Sequence, residues 1–210
     1  MGVNALLQAT GCVHPLLNAP EVVSGWDQPS ALPGLSIGAL TTHLVYAVAA
    51  VDSHLDRPWP DGAERIDVVA YYLQTLHGEE NSASVRDATA ARDAERALAG
   101  PATVLSGFDE VVERLTLRLP SESPDRLMRV PVGRCMPLED FLTTRLLEVV
   151  VHADDLATSV GRTTPTFPRE CTDIVINLLI EMSRRRHGDP AVIRAFTRHE
   201  RDNIHALRVF

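Results

Sequence analysis

With 210 residues, 45% of them apolar and 23% charged, the chain is long enough to bury a sizeable core and lies far from disordered compositions. Its formal charge of -8 opposes the phosphate neutralisation on which nucleic-acid binding depends, and Arg184, Arg185 and Arg186 form the only dense basic cluster, so nucleic acid is not an expected partner. The longest apolar run, Leu44 to Val51, is far short of the roughly 20 residues that cross a bilayer, so no membrane span is expected.

The N-terminus has no basic leader region, and Leu6 stands where a myristoylation signal needs Ser or Thr; the expected location is the cytoplasm. Cys12, Cys135 and Cys171 are odd in number and far apart, which suggests neither a disulfide framework nor a cysteine-zinc ribbon.

In chain order, Ala5 to Gly25 reads as a helix weakened by Pro15 and Pro20, and Gln28 to Gly34 as a loop. Ser36 is a suitable N-cap for a helix to about residue 55, because Ile37, Leu40, Leu44, Val48, Val51 and Leu55 recur at helical spacing. Pro58-Trp59-Pro60 closes it. Shorter helices are predicted around 64–77, 84–99 and 101–118. Leu127 to Arg134, with Val130-Pro131-Val132-Gly133, suits one short extended segment. Pro137 fits the first turn of a helix to about Val160, which Gly161 ends. A further helix covers Arg169 to His187, and after Gly188-Asp189-Pro190 a short helical tail runs to Phe210. Helices joined by loops, without alternating strands, predict an all-α helical bundle rather than an α/β sheet, as a single domain over 1–210.

Inside the helix that begins at Pro137, Leu138, Phe141, Arg145, Glu148, Val149, His152, Leu156 and Ser159 share one stripe. Glu148 and His152 are four apart, so both project from the same face. A carboxylate on a core-facing stripe requires a cation, a proton or hydrogen bonds, since burying it alone costs several kcal/mol. One reading is a histidine-carboxylate pair satisfied within the core, or an Arg145–Glu148 ion pair at i, i+3. The other is a metal site completed by His43, which lies on the flank of the other strongly amphipathic helix beside Ala47 and Ala50. Two imidazoles and a carboxylate are the three protein ligands typical of a catalytic zinc site.

The segment LPGLSIGALTTHL, followed a hundred residues later by FLTTRLLEVVVHADDLATSVG, resembles the mycothiol-dependent maleylpyruvate isomerase family within the DinB/YfiT-like helical superfamily. The closing IRAFTRHERDNIHALRVF resembles the family's end motif, with Arg198 where a glycine is usual; Leu35 replaces a common tryptophan. The resemblance implies an all-α, DinB-like four-helix bundle with extra short helices, a divalent metal on His43, Glu148 and His152, and mycothiol or a similar low-molecular-weight thiol as cosubstrate. Zinc is the first expectation for the metal, with nickel or iron as alternatives. The two-domain isomerase of the family draws an arginine from a C-terminal domain for which these 210 residues leave no room, so the expected activity is thiol transfer to a small electrophile. Thiol-dependent isomerisation of the maleylpyruvate type, a non-catalytic metal or small-molecule binding protein, and a structural homodimer whose histidines only fill the core are the alternatives.

Four further features carry two readings each. Arg145 contacts an acidic substrate or neutralises Glu148. Asp154 and Asp155 orient an imidazole or, as the commoner case, are solvated. His54, three turns from His43, is too distant to share an ion and is expected at the surface or pocket rim. Arg184 to Arg186 complement a helix end or pair with surface carboxylates.

Overall fold

The computed structural model describes residues 2–58, 62–77, 83–130, 133–198, 200 and 204–209, with the backbone alone for 83–86. Trp59, Pro60, Pro131, Val132, His199 and Phe210, which the sequence reading placed in loops or in the closing motif, lie outside the described residues.

Helix α1 (Gly2–Leu17) accommodates Pro15 in its last turn, and Pro20 opens the short α2 (Pro20–Ser24). Ser36 caps α3 (Ile37–Leu55) as expected: its Oγ accepts the Ala39 N–H at 3.1 Å. Then come α4 (Val68–His77), α5 (Ala83–Ala97) and α6 (Gly100–Arg118), the hairpin β1 (Leu127–Arg129) and β2 (Cys135–Pro137), and helices α7 (Leu138–Ser159), α8 (Arg169–His187) and α9 (Asp189–Thr197). Gly161, at φ +67°, ends α7 in the left-handed conformation that glycine adopts without steric penalty.

Helix α7 packs on α1 and α3, α3 packs on α6, and α1 closes the ring against α6. This is the all-α, DinB-like four-helix bundle. Its core runs through Leu6, Leu40, Leu44, Leu115, Leu142 and Leu147, all fully or almost fully buried. Each such side chain contributes about 1.5–3 kcal/mol by leaving water. Helix α3 is apolar around most of its circumference because α5 covers a third side of it. Among the described residues no helix is long and apolar enough to cross a membrane.

The extended segment is a hairpin rather than the single short excursion expected: Met128 pairs with Met136, both side chains buried, and Arg129 with Cys135. Two three-residue strands are too short to show a period of two, which is why the sequence reading saw only one irregular stretch. The hairpin matters to the site because it sets the start of two helices. Leu138 N–H donates to Arg126 O at 2.7 Å where α7 begins, and Ile66 N–H donates to Cys135 O at 2.9 Å just ahead of α4. At the other end of the site, Trp26 Nε1 donates to Ala97 O at 3.0 Å, and its indole lies so close to Gly38 that a Cβ there would come within 2.6 Å of the ring. Trp26 therefore ties the C-terminus of α5 to the first turn of α3.

Candidate metal centre

Helix α3 presents His43 in its second turn, and α7 presents Glu148 and His152 one turn apart. Because α3 and α7 pack side by side, the three residues meet. His152 Nε2 lies 3.2 Å from Glu148 Oε2, and His43 Nε2 lies 3.9 Å from the same oxygen. The two imidazoles stand edge to face, their centroids 4.7 Å apart and their planes at 90°. One ligand atom from each of the three residues falls within 4.8 Å of the others, a spacing that could hold a single ion. Their side chains keep 27%, 16% and 17% of their exposure in the order His43, Glu148, His152, so the cluster is shielded yet reachable from solvent.

The outer nitrogens of both imidazoles are occupied. His43 Nδ1 lies 2.7 Å from Asp93 Oδ2, on α5, and His152 Nδ1 lies 2.9 Å from Asp155 Oδ2, one turn further along α7. Each Nδ1 is thereby the donor, which leaves each Nε2 turned toward Glu148. A carboxylate behind the imidazole fixes the tautomer and ring orientation of a metal-ligating histidine and raises its basicity. Glu148 is held as well: Tyr72, buried on α4, donates its hydroxyl to Glu148 Oε1 at 3.0 Å and to Thr144 O at 2.9 Å. One carboxylate oxygen is thus engaged by the phenol while the other faces both histidines.

The electrostatics follow from this alternation of charge. Burial lowers the basicity of His43, but hydrogen bonds to Asp93 and Glu148 outweigh it and raise its pKa from 6.5 to about 9. His152 is raised in the same way: burial opposes, and the bonds to Asp155 and Glu148 prevail. Burial pushes the Glu148 carboxyl up, but His152, His43 and the guanidinium of Arg145 hold it well below the usual carboxylate range. The cluster therefore holds the His43 proton firmly and favours one on His152, around one ionised carboxylate. A divalent cation replacing two protons leaves the net charge unchanged, and two nitrogens plus a carboxylate oxygen are a donor set that suits zinc, nickel or iron. The residues present fit a metal.

Beside the cluster opens a cleft of about 320 Å³, lined by His43 and Glu148, by Tyr71 and Tyr72 of α4, and by residues of α5. Arg145 lines it too. Its Nε donates to Thr144 Oγ1 at 3.0 Å and its guanidinium lies 5.3 Å from the Phe141 ring centroid. The expected alternative of an Arg145–Glu148 ion pair is not realised among the described residues as a direct contact, although each residue's charge steadies the other's.

Other candidates resolve differently from expectation. Asp155 is the partner of His152 rather than a solvated surface acid, because at i+3 it lies on the inner edge of the same face. Asp154 points away from the cluster and accepts the Thr164 hydroxyl. His54 is buried rather than at the surface or rim: its Nδ1 donates to Ala50 O at 2.7 Å and its ring lies 5.1 Å from Phe141. Arg184 and Arg185 pair with the carboxylates of Asp189, Glu181 and Asp67, the second of the two alternatives. All three cysteines are free, with Cys135 and Cys171 buried.

Two residues escaped the sequence reading. Asp93 is 1% exposed, and the available signal was its place one turn before Ala97 on the narrow inner stripe of an otherwise charged helix. Tyr72 gave no signal beyond sitting in an apolar helix.

Residues 14–157 match the family model described as mycothiol maleylpyruvate isomerase N-terminal domain. The chain belongs to this family. The match spans His43, Asp93, Glu148, His152 and Asp155 and ends before α8, so the closing motif of the sequence lies beyond it. Membership in the mycothiol maleylpyruvate isomerase N-terminal domain family agrees with a thiol-related, metal-binding bundle. No curated protein and no solved structure matches the chain.

The role of Asp93 is open to direct measurement. Asp93→Asn keeps the shape of the side chain but removes its charge, and is expected to lower zinc affinity about 10–100-fold in a competition titration against a chromogenic chelator. An affinity within twofold of wild type would mean that Asp93 only packs α5 on α3.

Proposed function

We propose that His43, Glu148 and His152 hold a divalent metal, zinc in the first instance, and that the chain transfers the sulfur of a low-molecular-weight thiol such as mycothiol to a small electrophile. In that reaction the sulfur forms the new bond to carbon while the electron pair of the bond that breaks goes to a departing halide, to the oxygen of an opened epoxide, or through the enone π system to its carbonyl oxygen, and the thiol proton passes to solvent or to the acceptor. The observation that carries the reading is the double arrangement of the imidazoles: each Nδ1 is committed to a carboxylate, and each Nε2 faces the same Glu148 oxygen at the edge of a cleft.

When bound, the ion supplies Lewis acidity that lowers the pKa of a coordinated thiol and so populates the thiolate at neutral pH. Asp93 and Asp155 hold the His43 and His152 protons on Nδ1, keeping both Nε2 lone pairs directed inward. Tyr72 fixes the rotamer of Glu148 through Oε1 and, buried well away from its ionising range, remains a donor. Tyr71, Leu76 and Ala47 line the cleft next to the cluster. Arg145 stays cationic at the cleft wall, placed to contact the substrate. None of these roles needs a protein nucleophile, and the buried Cys135, hydrogen-bonded to Ala63 O, is not offered as one.

The test is consumption of mycothiol, followed by thiol titration, with a panel of haloaromatic, epoxide and enone acceptors, on zinc-loaded protein, metal-free protein and His152→Ala. Multiple turnovers that vanish in the latter two support the proposal. Thiol loss that ignores the metal, or that stops at one equivalent per chain, defeats it, the second result indicating a binding protein.

A further inference from the structure

The cleft beside the metal centre has a cationic wall, of which the proposed function uses Arg145 alone. In a chain of net charge -8, three arginines line this one cavity: Arg92 and Arg96 from α5 and Arg145 from α7. Their existing partners leave much of their capacity open. Arg92 donates through Nε to Ala88 O at 3.2 Å and through Nη2 to Thr89 Oγ1 at 3.0 Å, both uncharged acceptors. Arg145 likewise bonds the neutral Thr144 hydroxyl, and its other hydrogen-bonding partner is the phenol of Tyr71. Neither arginine forms an ion pair among the described residues. Arg96 alone meets a carboxylate, Asp93 Oδ1 at 3.1 Å, but Asp93 is shared with His43. The Arg96 guanidinium is also laid over the Tyr46 ring, 3.9 Å from its centroid, a contact that fixes its plane.

Arg145 is largely shielded from water, where a guanidinium is costly without an anion, and the fixed fork of donors on each of the three arginines is matched to a carboxylate or phosphoryl group. We infer that Arg92, Arg96 and Arg145 form an anion-binding subsite that receives the negatively charged end of the second substrate while its reactive end lies toward Glu148 and the histidines. The assignment rests on the proposed function only for the direction in which the reactive end points; the subsite itself consists of side chains that are in place without a metal. It places recognition on α5, the helix that also supplies Asp93, so one helix both orients a ligand imidazole and selects the acceptor. Carboxylate and phosphoryl groups share this chemistry, and the test separates them.

Metal-free protein is titrated calorimetrically at low ionic strength with succinate, with its neutral diamide succinamide, and with inorganic phosphate. Succinate is expected to bind at least about tenfold more tightly than succinamide, and to lose about tenfold or more in Arg92→Met and in Arg145→Met, the range for a charge-assisted hydrogen bond. Binding is also expected to weaken on raising the salt, as a screened charge interaction does. Arg92 lies exposed on α5, so Arg92→Met keeps a fold against which the inference can be judged even if Arg145→Met is destabilised. Phosphate binding more tightly than succinate, with the same loss in the variants, supports the subsite and assigns it a phosphoryl group. Equal affinities for succinate and succinamide, no succinate binding at millimolar concentration, or unchanged succinate affinity in Arg92→Met and Arg145→Met overturns it. Because no metal is present in the titration, failure here leaves the metal reading standing, and failure of zinc binding leaves this result standing.

Discussion

Glu148→Ala is expected to reduce zinc affinity by more than about a hundredfold, beyond the 10–100-fold loss that goes with removing an outer partner such as Asp93. The reason is that Oε2 is the one atom that both imidazole Nε2 groups face, at 3.2 and 3.9 Å, so its loss removes a ligand and the centre of the cluster together. The same substitution has a second effect on the metal-free chain. Glu148 there stands among the protonated His43, the Arg145 guanidinium and His152, whose pKa is also raised, and deleting it leaves mutually repelling positive charge partly shielded from water. Removing one member of a buried charge cluster costs about 3–5 kcal/mol, so the metal-free melting temperature should fall at neutral pH. Elemental analysis after desalting and a thermal melt of the metal-free protein measure the two effects separately. Zinc retention at wild-type stoichiometry and affinity in Glu148→Ala would remove Glu148 from the ligand set. Glu148→Gln is informative beside it: the amide can still receive the Tyr72 hydroxyl bond, so a fold preserved with metal lost assigns the effect to the charge.

Most of the bundle was legible because its signals are local. The Ser36 cap, the glycine at 161 and the periodic leucines of α3 each act within one or two turns, and each appears where the chain chemistry places it. Glu148 and His152 were legible for the same reason, since residues four apart on a helix must share a face. His43 is a different case. Nothing in α3 alone distinguishes a ligand from a histidine filling a core, and only the packing of α3 on α7 brings its Nε2 to Glu148. The residues missed or misread depend on longer-range contacts. Asp93 lies fifty positions from His43, and Tyr72 seventy-six from Glu148, so no periodicity within either helix reports the partner. His54 was misjudged because its exposure is decided by Phe141 on another helix, not by its place near the end of α3. The general pattern is that a helix reveals which residues face inward, whereas the partner that an inward polar group meets belongs to the tertiary structure.

Raising the pH from 6 to 8 is expected to strengthen zinc binding by more than about a hundredfold, because metal and protons compete for the same two nitrogens. The sign follows from the protonation of the metal-free cluster. With a pKa of about 9, His43 holds its proton across this whole range and must surrender it when an ion binds, which gives about a tenfold gain in affinity per pH unit. His152, also raised, adds a second proton at the acid end of the range and steepens the dependence there. The metal-free fold should show the opposite trend. A histidine whose pKa is raised on folding contributes stability that is fully present below its unfolded value, near 6.5, and is lost as the pH climbs through about 9. Between pH 7 and 9 the melting temperature of the metal-free protein should therefore fall while the stabilisation conferred by a fixed concentration of free zinc grows. Competition titrations and melts over that range, in a buffer that does not bind zinc, read both slopes. A zinc affinity independent of pH between 6 and 8 would mean that the ion does not displace the His43 proton, and His43 would then have to be replaced as a ligand.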